Sequence, residues 1–371
     1  MKILIDNSIL FAGGGIQVAT SFIYDLLYLN VDHEFVVILS PPSSLQINKE
    51  DFKSNFVFHD IPVSIFENKR KRSSYVKQME NVIRPDVIFT VFGPSYHKSN
   101  FPKVVGFAIP HLIYQDSPFF KTLSFIERIK NKALNFIKKL AFTRNSDALI
   151  FESEEARKRF SKYFSGKSYV VSNTLNEIFR RKENWKTFNH PEINRNDFNI
   201  LCLTANYPHK NLRIIPEIVK ELVNRGIKNF KIMVSVNAGE LPVDEEIGGH
   251  ILFLGRVDIN QLPSLYQHAD ALLMPSLLEV FSTTYLEAMF MNIPIVASDM
   301  PFARDICALG ALYASPLDAV EYVDNLLLLQ SNMDLKNSLI SNASSNLSRF
   351  GTSTDRTLRY LEIIEKHGNT K

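Results

Sequence analysis

The sequence predicts an α/β fold of two doubly wound, Rossmann-like parallel sheets facing each other across a cleft. Short apolar runs such as Lys2 to Asp6, Val104 to Ala108 and Ala271 to Met274 read as strands buried on both faces. Stretches with apolar residues at helical spacing separate them, as expected of βαβ units. One polar, irregular stretch divides this alternation into two series. The expected division is a first domain over residues 1–172, a linker over 173–199, a second domain over 200–355 and a closing helix over 356–371.

The composition is compatible with that architecture and narrows the partners. A chain of 371 residues is long enough for two domains of ordinary size. Hydrophobic residues make up 45% and charged residues 22%, which are globular values. A net charge of +3 gives no reason to expect nucleic acid as a partner, and no RNA or DNA motif is present. Cys202 and Cys307 lie inside apolar runs and are expected to be buried thiols in a reducing compartment. The start, Met1-Lys-Ile-Leu-Ile, lacks a signal-peptide apolar core, and no apolar run has the length of a membrane span. The expectation is a soluble, cytoplasmic protein.

In the first series, strands are expected at Lys2 to Asp6, Glu34 to Leu39, Phe56 to His59, Asp86 to Thr90, Val104 to Ala108, Ala148 to Phe151 and Tyr169 to Ser172. Gly13-Gly14-Gly15 follows the first strand and precedes a helix over Ile16 to Leu29. Glycines there let a ligand approach the backbone, although a turn that needs positive φ explains them equally well. Val18 takes the place of the third glycine of the dinucleotide fingerprint, which argues against an NAD dehydrogenase. Ser165-Gly166-Lys167-Ser168 is not a P-loop, because Ser161 replaces the first glycine and the segment precedes a strand. His111 directly follows a central strand, at the sheet edge where α/β folds bind ligands; a satisfied structural histidine is the plainer reading. Residues 121–142 read as a helix with Lys121, Arg128, Lys130, Lys132, Lys138 and Lys139 interleaved among apolar residues. Such a helix either packs on its own sheet or lies on an anionic membrane surface.

In the second series, strands are expected at Ile200 to Thr204, Lys231 to Val236, His250 to Leu254, Ala271 to Met274 and Ile293 to Ala297. Helices are expected at Leu212 to Arg225, Ile259 to Gln267 and Thr283 to Met291, with three more closing the chain. The organising stretch is Pro275 to Met289, a strand that turns into a helix N-terminus with Ser282, Thr283 and Thr284 as candidate caps. Free backbone N–H groups and the positive end of the macrodipole make such a turn an anion site. Glu279 and Glu287 bracket it. Carboxylates beside an anion site are costly unless they hold neutral donors of the same ligand, and a phosphate flanked by hydroxyls describes a nucleotide sugar.

Glu279 and Glu287, with Pro275-Ser276, Phe281 and Leu286-Glu287-Ala288, resemble the signature of retaining, family-4-type glycosyltransferases of the GT-B fold, also termed glycosyl transferases group 1. Ile293 to Pro301 and the Ala311-Leu312-Tyr313 core extend the likeness, which spans about Ile200 to Leu317 and covers the first domain loosely. The resemblance implies transfer of a sugar from a nucleoside-diphosphate sugar to a glycan or lipid-linked acceptor, in cell-surface polysaccharide assembly, with no metal and no other cofactor. It implies that Lys210, in Lys210-Asn211-Leu212, binds the donor phosphates together with the backbone N–H groups of Phe281, Ser282, Thr283 and Thr284. Glu287 is implied to hold the ribose, Glu279 the transferred sugar, and His111 to lie near that sugar. Gly14, Gly15, Asn206, Arg256 and Val257 are implied to contact the donor. It implies that the last helix crosses back to the first domain, and lipid-linked acceptors would bring residues 121–142 to the inner membrane surface.

Two departures matter. Val280 and Ser282 stand where many relatives have glycine, and Thr204 stands where a phosphate-binding arginine is common, with Arg256 as a candidate substitute. They lend some support to a non-catalytic nucleotide-sugar-binding subunit. A nucleotide-sugar 2-epimerase of the same fold is the other alternative. A plainer reading of Glu287 is a capping box, Thr284-Tyr-Leu-Glu287, in which the acid merely closes the helix start.

Overall fold

A computed structural model describes residues 1–29 and 31–369; residue 30 and residues 370–371, the last two of the expected closing segment, lie outside the described residues. The described chain divides into two compact units.

Of the described residues, the first unit comprises 1–29, 31–113, 125–173 and 352–369. Its seven strands are β1 (Lys2–Asn7), β2 (Glu34–Leu39), β3 (Phe56–Asp60), β4 (Val87–Thr90), β5 (Lys103–Phe107), β6 (Ala148–Phe151) and β7 (Lys167–Val170). All pair in parallel, in the order β3-β2-β1-β4-β5-β6-β7. The chain winds outward from β1 in one direction and from β4 in the other, so the order reverses between these two neighbours. The runs are apolar on both faces because helices cover both faces. The helices Gly14–Leu29 and Ser353–Gly368 share one core with β1 and β4, in which Tyr360 meets Phe22 and Phe89 with ring centroids 5.6 and 5.2 Å apart. The final helix is also fixed by polar bonds, Arg356 to Asn173 and Thr357 to Asp25 at 2.7 and 2.9 Å. Gly106 in β5 is required by proximity: a Cβ there would lie 1.8 Å from the carbonyl oxygen of Val91.

The second unit comprises residues 114–124 and 174–351. Its strands are β8 (Phe198–Cys202), β9 (Phe230–Val234), β10 (Ile251–Phe253), β11 (Ala271–Met274), β12 (Ile295–Ser298) and β13 (Ala311–Ala314). They form a second parallel sheet, β10-β9-β8-β11-β12-β13, whose order reverses between β8 and β11. Cys202 and Cys307 are buried and unbridged in this unit.

Three expectations are adjusted. Residues 114–124, placed by the sequence in the first domain, stand in the second unit, where Ser117 donates to the Leu277 carbonyl at 2.7 Å. The stretch read as a linker is pinned to the second unit by Lys186 N–H to Asn260 O at 2.8 Å and Phe188 N–H to Ser264 Oγ at 2.9 Å. The basic helix runs Phe125–Asn145, four residues later than expected at its start, because Pro118–Lys121 forms a separate 3-10 turn.

Candidate functional site

In an open parallel sheet, two loops diverge where the strand order reverses, and the crevice they leave at the carboxyl edge is the usual ligand site. In the second unit these loops follow β8 and β11, and they carry the expected residues. After β8 the chain passes through the turn Pro208–Lys210, which ends at Asn211 in the left-handed region with φ 56°. Asn tolerates that conformation, and its side chain donates to the Pro316 carbonyl at 3.0 Å. The turn thereby aims Lys210 back over the sheet edge. After β11, Leu277 N–H donates to the His209 carbonyl at 2.7 Å, tying the second loop to the first. Lys210 Nζ meets Glu279 Oε1 in a short ion pair, with side chains 17% and 10% exposed. A lysine and a glutamate sixty-nine positions apart thus form one half-buried polar centre.

The helix Thr283–Phe290 opens beside this pair, with Ser282 in extended backbone as its N-cap. Its first-turn N–H groups have no partners within the helix, so the loop over 281–284 presents donors and the positive dipole end next to Lys210 and Glu279. Ser282 makes no side-chain capping bond. The Phe281 ring packs edge-on against Phe350 at 5.6 Å, fixing the loop through its side chain and leaving its backbone for other partners. Neither Val280 nor Ser282 has positive φ, so this turn needs no glycine.

Glu287 is not part of a capping box. With Ser282 as N-cap, the third helical position is Tyr285, and Glu287 lies a further two residues along. Its carboxylate is buried and accepts from Tyr266 Oη at 3.0 Å and from Thr283 Oγ1 at 3.3 Å. No cation among the described residues compensates for its burial, which pushes the carboxyl up to about 7 against the pull of those two bonds. Tyr266 is held well above its ordinary value by burial and then by Glu287, so it remains a donor. Burial and then the Lys210 cation push His209 down to about 4, so that at neutral pH Lys210 supplies the positive charge of this loop.

The other expected residues are distributed differently. Asn206 turns outward and donates to the Glu240 carbonyl at 2.7 Å. Thr204 is clasped through its backbone by Ser235 Oγ, which donates to its carbonyl at 2.8 Å and accepts from its N–H at 2.7 Å. Arg256 and Val257 follow β10, two strands from β8 and hence about 10 Å along the sheet edge. Gly14 and Gly15 open the helix after β1 in the first unit, next to Gly13 at φ +74°. His111 lies in the turn Pro110–Leu112 directly after β5, its carbonyl accepting from Asn135 at 3.2 Å. Sequence reasoning did not single out Tyr266 or Ser117. Tyr266 sits in a short helical stretch with no motif to mark it, and Ser117 reaches the site's loop from 160 positions away.

The raised Glu287 carboxyl sets a sign for the pH dependence of stability. A group whose folded value lies above its unfolded one binds protons more readily in the folded state, so its contribution is intact below about pH 4.5 and is lost as pH rises through about 7. Glu287→Gln keeps an acceptor for Tyr266 and cannot ionise. Urea melts from about pH 5 to about pH 8 are expected to show the variant gaining on the parent by about 2–4 kcal/mol, following the size of the shift. A constant difference across that window would contradict a desolvated Glu287.

Residues 183–346 match the family model described as glycosyl transferases group 1. Over 162 residues the chain is 28% identical to O-antigen chain mannosyltransferase RfbU of Salmonella typhimurium, covering 41% of this chain. The chain spans 46% of that relative's length. Sucrose-phosphate synthase of Thermosynechococcus elongatus superposes with a TM-score of 0.72 at 13% identity, over 98% of each chain. HepE of Anabaena, solved in complex with UDP-glucose, superposes with a TM-score of 0.70 at 14% identity, over 99% of this chain and 100% of that one. At such identities these structures speak for the fold, which is GT-B. Over residues 183–346 the chain is therefore similar to the glycosyl transferases group 1 family.

Proposed function

We propose that this chain is a retaining glycosyltransferase that moves a sugar from a nucleoside-diphosphate sugar to a glycan or lipid-linked acceptor in cell-surface polysaccharide assembly. The observation that carries the reading is the Lys210–Glu279 pair at the β8/β11 reversal, beside the start of the helix Thr283–Phe290. A cation and backbone donors suit a diphosphate, and an acid in contact with that cation suits the hydroxyls of the adjoining sugar. The family match over this unit, the O-antigen role named for RfbU and the UDP-glucose named for HepE point the same way.

In this reading Lys210 exchanges a Glu279 oxygen for a diphosphate oxygen, and the released carboxylate accepts hydroxyls of the transferred sugar. The backbone N–H groups of Phe281, Ser282, Thr283 and Thr284 meet the phosphates, and Glu287 accepts from the ribose. Asn206, Arg256 and Val257 contribute at the nucleotide end. Gly14, Gly15 and His111, in the first unit, keep the roles that the resemblance implies. The sugar C1–O bond to the diphosphate breaks while the acceptor oxygen bonds to C1 on the same face. A donor phosphate oxygen takes the acceptor proton, and the diphosphate leaves as an anion stabilised by Lys210 and the backbone donors. No metal is needed, since those groups supply the positive charge. The non-catalytic alternative loses one support, because the turn without glycines adopts an unstrained backbone.

The helix Phe125–Asn145 supports contact with the acceptor's membrane. Phe125, Ile126, Ile129, Phe136 and Ile137 lie on one side of it and are all exposed, Phe125 by 76%. An apolar stripe open to solvent and flanked by Lys130, Lys132 and Lys139 suits the interface of an anionic bilayer better than water. No described helix is long and apolar enough to cross a membrane.

Two experiments test the proposal. The first is a thermal-shift screen against UDP-, GDP- and ADP-sugars, with each variant read against its own unliganded melting temperature. One base class is expected to raise the melting temperature by several degrees, with at least tenfold weaker binding in Lys210→Met and Glu287→Ala. Stabilisation by none of the donors, or equal stabilisation of all three proteins, would contradict the site. The second is sedimentation with vesicles containing phosphatidylserine. The parent is expected to pellet with them and the double variant Ile129→Asp/Phe136→Asp to stay in solution; equal partitioning of both would remove the membrane contact.

A further inference from the structure

Residues 114–124 are part of the second unit, although the chain on either side of them is part of the first. Two aromatic side chains anchor the segment. Tyr114 is fully buried and meets Phe302 edge-on at 5.7 Å. Phe119 is buried as well and meets His209 edge-on at 6.4 Å. Between them, Ser117 opens the turn Pro118–Lys121, and the proline fixes the backbone that follows it.

The Ser117 hydroxyl is buried, and both of its hydrogen-bonding roles are taken. It accepts from the Phe119 N–H at 3.1 Å. Its one proton is thereby left for the Leu277 carbonyl, at 2.7 Å. Leu277 is held on its other side too, because its N–H donates to the His209 carbonyl at 2.7 Å. Both backbone groups of one residue are thus fixed by two segments, and those segments meet each other through the rings of Phe119 and His209.

This junction borders the ion pair on both sides. Glu279 lies two residues beyond Leu277, and Lys210 directly follows His209. Leu277 and Leu278 are fully buried, so their side chains hold the loop down while the Ser117 bond sets how its peptide is turned. A buried carbonyl that loses its donor is costly, and the peptide rotates to recover a partner. Rotation at Leu277 would carry the Glu279 carboxylate off its place. That displacement weighs most on a ligand whose neutral hydroxyls must meet the carboxylate at hydrogen-bonding distance. It weighs least on a diphosphate held by Lys210 and the N–H groups of the helix start.

We propose that Ser117 is a positioning residue, which acts through the Leu277 peptide to hold Glu279 where it meets the transferred sugar. The role rests on the reading of Glu279 as the partner of the sugar hydroxyls. A serine that only capped its own turn would leave the distinction between a sugar donor and its bare diphosphate untouched.

The test is calorimetric titration of the full chain, Ser117→Ala, Glu279→Ala and the double variant. The probes are UDP-glucose, GDP-mannose and ADP-glucose, each read against UDP, GDP or ADP alone. For one base the parent is expected to bind the sugar form about tenfold more tightly than the diphosphate. Ser117→Ala is expected to lose most of that preference while binding the bare diphosphate as the parent does, which also reports an intact fold. Adding Ser117→Ala to Glu279→Ala is expected to change the preference no further, as for two residues that act through one contact. A preference retained in Ser117→Ala, whether or not both affinities fall together, would overturn the positioning role and leave the donor site standing. So would a further loss in the double variant. A parent that binds none of the six probes, or binds no sugar form more tightly than its diphosphate, would overturn the Glu279 reading and this role with it.

Discussion

One ion pair organises the second unit. Lys210 and Glu279 have little reason to be buried together for stability alone, since taking two charges from water costs about as much as their attraction returns. The surrounding structure nevertheless holds them in place from several directions. Asn211 accepts a left-handed backbone so that Lys210 points over the sheet, and the Leu277–His209 backbone bond sets the distance between the two loops. Ser117 fixes the Leu277 carbonyl from the other side, and Ser298 donates to the Ser276 carbonyl from β12. A polar pair supported in this way resembles a binding centre more than a staple.

The two acids flanking the turn illustrate how environment divides similar groups. Glu279 faces a cation and remains available to exchange it. Glu287, eight residues on, faces only a phenol and a threonine hydroxyl within an apolar wall, and its carboxyl rises. The first suits a partner that arrives with its own negative charge for Lys210. The second suits neutral donors such as hydroxyls, which satisfy a buried carboxylate without a counter-charge. The separation of roles follows from what each carboxylate meets, Lys210 for Glu279 and the hydroxyls of Tyr266 and Thr283 for Glu287.

Much of this was legible in the sequence, and the remainder failed for physical reasons. Both sheets and their parallel pairing follow from short runs apolar on two faces. Glu279 and Glu287 were singled out because their spacing and a strand–turn–helix context carry a signal, whereas Lys210 was singled out only through the family resemblance. The Lys210–Glu279 contact was not foreseen, since nothing local encodes a meeting across sixty-nine positions. The capping-box alternative for Glu287 depended on which of three hydroxyl residues begins the helix, and only backbone geometry separates Ser282 from Thr284. Residues 114–124 read as part of the first series because connectivity suggests it, while Tyr114 and Phe119 find their aromatic partners, Phe302 and His209, in the second unit. The exposed apolar side of Phe125–Asn145 was undecided in the sequence, since periodicity reveals a face but not what covers it.

The most direct measurement of the central claim is a crystal structure of this chain with an intact nucleoside-diphosphate sugar. The account predicts the diphosphate at the β8/β11 edge, with Lys210 Nζ moved from Glu279 to a phosphate oxygen and Glu279 within hydrogen-bonding distance of the sugar hydroxyls. A diphosphate bound elsewhere with the Lys210–Glu279 pair intact would contradict it.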